Sequence, residues 1–181
     1  KKLLGIVFLG LLLSSNAYAS NVSDFEIEGI SVGSSLLDYY SKKEIKKNKM
    51  NYTKDKTFSV FEKNIKSEIY DGIQIEYKTK DKKYIIFGIN GIIDCRNNFN
   101  ICEDAFEKTT NEFSVFFGNT VTKSDKLVEK HKADKSGKSI NTLITFTFEN
   151  GDEAIIQTTD WSKKIGYWDN FKVILSTKEL S

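Results

Sequence analysis

The apolar pattern predicts an α+β fold, an antiparallel sheet with helices packed on one face. Three observations carry this. Ile73, Ile75 and Tyr77, and again Phe171, Val173 and Leu175, alternate with polar residues as half-buried strands do. Cys102, Phe106, Phe113, Phe116 and Phe117 recur at helical spacing and share one side. Glycine turn signals at Asp71-Gly72 and Asn150-Gly151 separate the apolar runs.

Taken in chain order, Phe25, Ile27 and the stretch from Gly29 to Gly33 predict a short strand and a turn. Ser35 with Asp38 three residues on is a capping box. It predicts a helix over 35–47 with Leu36, Leu37 and Tyr40 on its apolar side. The lysine-rich stretch 42–56 reads as a solvated helix end and loop. Phe58, Val60 and Phe61 predict a strand, Asp71-Gly72 a turn, and 73–77 a strand. A turn at 80–82 leads into a returning strand over 84–89, and Asn90-Gly91 reads as the next turn, ahead of Ile92 and Ile93.

The second half repeats this order. A loop carries both cysteines, Asn100 is the expected N-cap with Glu103 three residues on, and a helix covers 101–117 with Gly118 past its end. Residues 125–131 read as a strand and 132–138 as a charged turn. Strands at 143–148 and 153–159 flank Asn150-Gly151, expected as a type I′ hairpin turn. The last strand holds Phe171, Val173 and Leu175. The chain thus divides into two helix-plus-three-strand units, 20–93 and 94–181, sharing one core, behind a separate segment 1–19.

Segment 1–19 carries the marks of a secretory signal peptide. Lys1-Lys2 precede an apolar run from Leu3 to Leu13, and Ala17-Tyr18-Ala19 is a small-x-small cleavage site. The run is too short to span a bilayer, which takes roughly 20 residues. No later stretch approaches that length, so no stable membrane insertion is expected after cleavage. Removing the segment takes two lysines and leaves 25 basic residues against 25 acidic. A formally neutral chain whose one arginine is Arg96 lacks the positive surplus that phosphate binding requires. Nucleic acid is therefore not an expected partner. The expected location is the periplasm, or the medium beyond it.

Two cysteines in an exported chain are expected to pair, and Cys95 and Cys102 have six residues between them. That spacing is not the Cys-x-x-Cys of redox catalysis, and with His131 alone the pair cannot complete a metal ligand set. No cofactor or metal is expected. His131, among charged neighbours, reads as a solvated surface residue. Gly29-Ile30-Ser31-Val32-Gly33 has the letters of a nucleophile elbow but leads into a capping box, so no catalytic residue is nominated. The partner-binding candidates are Trp161, Tyr167 and Trp168, which lie beside Gly166, together with Tyr39 on the first helix.

Helix-then-meander units led by Gly29-Ile30-Ser31-Val32-Gly33-Ser34-Ser35-Leu36-Leu37 resemble the envelope modules of the BamE (SmpA/OmlA) type. Their tandem arrangement resembles beta-lactamase-inhibitor-protein-like (BLIP-like) domains. The resemblance implies protein binding or envelope assembly without catalysis. This chain departs from the pattern in having no lipobox cysteine immediately after the cleavage site and no proline in its loops. The expected function is a non-enzymatic binding or adaptor protein of the bacterial envelope, with another envelope protein as partner. The alternatives are a small hydrolase using a carboxylate pair and a carrier of a small ligand or lipid.

Overall fold

The computed structural model describes residues 21–50 and 57–180. The expected signal segment 1–19 and residues 51–56 of the lysine-rich loop lie outside the described residues. The chain opens with a 3₁₀ turn, Val22–Asp24, and a two-stranded ribbon, β1 (Glu26–Ile27) and β2 (Ile30–Ser31). A second 3₁₀ turn, Leu36–Asp38, precedes α1 (Lys42–Lys47). The strands β3 (Lys49–Met50), β4 (Phe58–Asn64), β5 (Gly72–Lys78) and β6 (Ile86–Asp94) follow, then α2 (Asn100–Phe117). The second half adds β7 (Thr122–Lys123), β8 (Leu127–Lys130), β9 (Ile140–Thr147), β10 (Glu153–Asp160) and β11 (Asn170–Ser176).

All strands from β3 onward form one antiparallel sheet in the order β3-β4-β5-β6-β11-β10-β9-β7, with β8 also on β9. The fold is α+β, as expected. The meanders β4-β5-β6 and β9-β10-β11 are joined where their last strands pair, Val173 opposite Gly91 and Leu175 opposite Ile89. The helices pack on one face. Ile73, Ile75, Ile89, Phe171, Val173 and Ile156 are buried there with Leu36 and Ile45 from the first half and Cys102, Phe106, Phe113 and Phe117 from α2. Phe117 sits 5.5 Å from Phe146 and 5.3 Å from Phe148, centroid to centroid. Burying each such ring contributes roughly 2 kcal/mol. Among the described residues no helix is long and apolar enough to cross a membrane.

Four local expectations are corrected. The single helix expected over 35–47 is two pieces. The Ser35–Asp38 box caps only the 3₁₀ turn, and a second box, Ser41 with Glu44, starts α1 afresh. Serine at position 41 offers its side chain to the backbone, which favours a new cap over continuation. Asn100 is not the N-cap of α2. Phe99 holds that position with no side-chain bond, and Asn98 Oδ1 accepts from the Asn100 N–H at 3.1 Å. Asn150-Gly151 does close a hairpin, but only Gly151 has positive φ, +87°. The Gly151 N–H donates to the Phe148 carbonyl and the Phe148 N–H to that of Asp152. This is a three-residue loop with glycine at the left-handed position, not type I′.

The fourth correction concerns Asn90-Gly91, which is not a turn but lies inside β6. Gly91 serves a close approach here. A Cβ at that position would stand 2.5 Å from the Tyr70 ring, which is itself buried. Gly91→Ala is therefore expected to destabilise the fold by about 2 kcal/mol through overpacking. Urea unfolding of this variant would refute that reading if the midpoint did not move.

Cys95 and Cys102 form the disulfide, with Cα atoms 5.9 Å apart, and both are buried in the core. The bridge ties the end of β6 to the first turn of α2. Replacing both cysteines by serine is expected to lose about 2 kcal/mol, the scale for a short closed loop. Thermal unfolding of oxidised and reduced wild type provides the same comparison without mutation, and coincident transitions would contradict it.

Candidate functional site

A strand alternates its side chains between two faces, so burying Ile73, Ile75 and Tyr77 against the helices turns Gln74 and Glu76 the other way. The register carries that second face across the sheet. Glu62 stands opposite Gln74, Gln74 opposite Asn90, Asn90 opposite Ile174, and Ile174 opposite Ile155. The neighbouring row runs Ile92, Lys172, Gln157, Leu143 and Leu127. None of these apolar residues belongs to the core cluster, and most are half-buried. The face is uncovered by helix among the described residues and mixes apolar and polar groups.

Its centre is a hydrogen-bonded network. Gln74 Nε2 donates to Glu62 Oε2 at 2.5 Å, and Lys172 Nζ donates to Gln74 Oε1 at 2.9 Å. Asn90 Nδ2 donates to Glu76 Oε1 at 3.1 Å and, more weakly, to Gln74 Oε1 at 3.4 Å. Asn90 is 6% exposed. Its Oδ1 and the second Glu76 oxygen are buried and accept no hydrogen bond. Burial pushes the Glu76 carboxyl up to about 7, against the opposing pull of Lys172 and Asn90. Burial also lowers Lys172, while Glu76 and Glu62 hold it up.

One end of this face is aromatic. The loop from Trp161 to Asp169 joins β10 to β11, and the backbone fixes it at both ends. Asp169 accepts the Trp161 N–H on Oδ1 and the Cys95 N–H on its carbonyl, both at 2.8 Å. Asn170 Nδ2 donates to the Trp168 carbonyl at 2.8 Å. Trp161 and Tyr167 meet edge to face with centroids 4.9 Å apart. Arg96, held by Asp94 through both Nε and Nη2, lies over the Trp168 ring at 4.3 Å. The disulfide loop thus supports the aromatic loop from below. Tyr167 and Trp168 stay 55% and 57% exposed.

Three of the four expected partner-binding residues, Trp161, Tyr167 and Trp168, come together here. Tyr39 does not join them. It follows the 3₁₀ turn Leu36–Asp38, whose Leu36 N–H bonds to the Tyr84 carbonyl near the start of β6, whereas Arg96 lies just past that strand's end. His131 is also corrected. It is half-buried, its ring 4.1 Å from that of Trp161, and burial lowers its pKa, with Lys172 adding to the effect. Its Nδ1 accepts the Ala133 N–H at 3.1 Å, which leaves Nε2 to carry the proton of the neutral ring.

No nucleophile relay forms around that histidine. Ser139 is fully buried and its hydroxyl donates to Asp134 Oδ2 at 2.6 Å, while its Oγ accepts the Ser162 N–H. These bonds, Ser139 first, hold Asp134 well below the usual carboxylate range. The trio docks the charged turn 132–138 against the aromatic loop. Among the described residues no group of three or more His, Cys, Asp or Glu side chains is placed to hold a metal ion. Comparison with known proteins found no matching family model, no matching curated protein and no matching solved structure.

Sequence reading missed Glu62, Gln74, Glu76, Asn90 and Lys172, because polar residues alternating along a strand read as a solvated face. Their one signal was position, since Gln74 and Glu76 fall in the middle of the sheet rather than at its edge.

The Glu76 carboxyl has a testable consequence. Its folded pKa, about 7, lies above its ordinary 4.5, so between these values the folded chain holds more proton than the unfolded one. Stability from this group is therefore present at low pH and falls as pH rises through that window, by roughly 3 kcal/mol. Glu76→Gln is expected to remove most of that decline. Urea unfolding of both proteins at pH 5 and pH 8 measures it, and an equal decline in wild type and variant would count against the buried, proton-holding carboxyl.

Proposed function

We propose that this protein is an exported, non-enzymatic binding protein of the bacterial envelope, periplasmic or secreted, that holds another envelope protein through the aromatic end of its uncovered sheet face. The carrying observation is that Tyr167 and Trp168 are exposed yet held by neighbours, Tyr167 against Trp161 and Trp168 under Arg96. Tyr, Trp and Arg dominate interface hot spots, and the two aromatics bury large area with only two torsions each to freeze. Here the ordering is already done by the disulfide loop and Asp169, so a partner meets a preorganised surface.

Other features support the reading. A disulfide suits an oxidising compartment. The tandem helix-and-meander order is in keeping with the resemblance to BamE-type and BLIP-like modules. The space between sheet and α2 is filled by Phe113, Phe117, Phe146 and Phe148, which favours surface binding over carriage of a lipid in the core. Glu76 is the one observation favouring a carboxylate hydrolase, but one of its oxygens is buried and the other is bound to Asn90.

The test is affinity capture from native envelope by the oxidised chain, alongside a Tyr167→Ala/Trp168→Ala variant. The expected result is a discrete partner that rebinds as a purified protein and loses at least about thirtyfold in affinity to the variant, as for a hot-spot pair. A partner bound equally by both proteins would overturn the assignment of this surface. A folded wild type that captures nothing would overturn the adaptor reading itself.

A further inference from the structure

We propose that the β8 edge of the sheet takes an extended segment of the partner protein as an added antiparallel strand. The inference rests on the binding reading above and names how the partner is held.

The sheet has two ends. One is β3, two residues long, Lys49–Met50. The other is formed by β7 and β8, both paired on one side to β9. The His131 N–H donates to the Ser139 carbonyl at 2.8 Å, which makes theirs a hydrogen-bonded pair. Such pairs alternate along an antiparallel ladder. Lys130 and Val128, opposite Ile140 and Thr142, therefore turn both N–H and carbonyl away from β9. No described residue bonds to these outward groups. Two donors and two acceptors at strand spacing match one kind of ligand, another extended backbone. The side chains agree. Leu127 and Val128 are 49% and 60% exposed, the only exposed large apolar residues in a strand among the described residues. They point to opposite faces, Leu127 opposite Leu143 on the helix-free face and Val128 opposite Thr142 on the other. An added strand covers both, whereas a surface laid on one face covers one.

Charge decides against a second copy of this chain as that strand. Two-fold-related copies pair antiparallel with each face continuous, so a residue meets one an even number of places away. Centred on Leu127, the pairing sets Asp125 against Glu129. Centred on Val128 it sets Lys126 against Lys130, and centred on Glu129 that residue meets itself. Each register puts like charges directly opposite. A different chain meets no such conflict. Lys126 is engaged by Glu107 at 2.9 Å, but Lys130 is exposed and in no ion pair among the described residues. The complementary segment carries, in its own direction, an acid opposite Lys130, a base opposite Glu129 and two apolar residues opposite Val128 and Leu127. Running antiparallel, it starts at the His131 end, where that ring stacks on Trp161. The chain leading into the segment thus passes the aromatic loop.

The probe is a phage-displayed library of linear twelve-residue peptides selected on the oxidised chain. The expected peptides share an acid, a base and two apolar residues in that order, and lose about tenfold or more in affinity to Val128→Pro. That proline removes an outward N–H and leaves the β9 ladder whole, so the unfolding midpoint is expected to stay near that of wild type. N-methylating the peptide at alternate residues abolishes binding and methylating the residues between does not, a pattern that no loss of folding reproduces. Hydrogen exchange at the Val128 and Lys130 amides slows in the complex. Binding indifferent to Val128→Pro, unslowed exchange at both amides, or a selection that returns no binder would overturn the proposal. So would a wild type that dimerises at micromolar concentration while Val128→Pro stays monomeric, which gives the edge to a second copy. The envelope partner separates the two readings. A partner lost with Tyr167 and Trp168 but bound equally by Val128→Pro ends this inference and leaves the proposed function standing. Peptides that meet every criterion, with no envelope partner captured, sustain the edge and end the adaptor reading.

Discussion

The pairing of β6 with β11 is the constraint on which the molecule depends. Each half is a meander with an apolar face, and neither hides its inner strand edge alone. Joining the last strands removes two edges at once and lets one core draw on both halves, from Ile45 and Phe61 to Phe106 and Phe146. It also sets the sheet face that carries no helix. Asn90 reaches Gln74 on one side and stands opposite Ile174 on the other only because β6 lies between β5 and β11. A one-residue slip at this seam would turn Asn90 into the core and Ile89 out to water.

The same seam explains what the sequence made legible and what it hid. Strands at 73–77 and 171–175, the disulfide and α2 were all readable because each rests on local spacing: period two, a lone cysteine pair, a helical stripe of phenylalanines. Asn90-Gly91 misled because an Asn-Gly pair signals a turn only when nothing else needs the glycine. Here the ring of Tyr70, remote in the sequence, occupies the space a side chain at Gly91 would fill. The helix expected over 35–47 failed for a local reason. Ser41 competes as a cap, and two short boxes replace one helix.

The candidate site was half legible. Trp161, Tyr167 and Trp168 announced themselves as clustered aromatics in one loop. Their supports did not, because Arg96, Asp94 and Cys95 belong to the other side of the seam, and only the fold puts Cys95 beside Asp169. Tyr39 was nominated by residue type alone, and the fold carried it elsewhere. His131 was read from its charged neighbours, yet its ring is decided by Trp161. Residue type nominates surface aromatics well. It says little about which remote element will hold them still.

The two regions of the uncovered face spend stability differently. The aromatic loop is anchored by Asp169, Asn170, Ser139 and Arg96, although Ser162 Oγ and Asn170 Oδ1 are buried without a hydrogen bond, and it leaves apolar area in water. The Glu76–Asn90 network is the reverse, largely hidden from water but short of donors. An apolar core of the same shape would be more stable than a half-satisfied polar network. Exposed rings and unpaired acceptors are both unfavourable in the free chain. Both lie on the sheet face without a helix, and they meet where His131 stacks on Trp161 and feels the charge of Lys172.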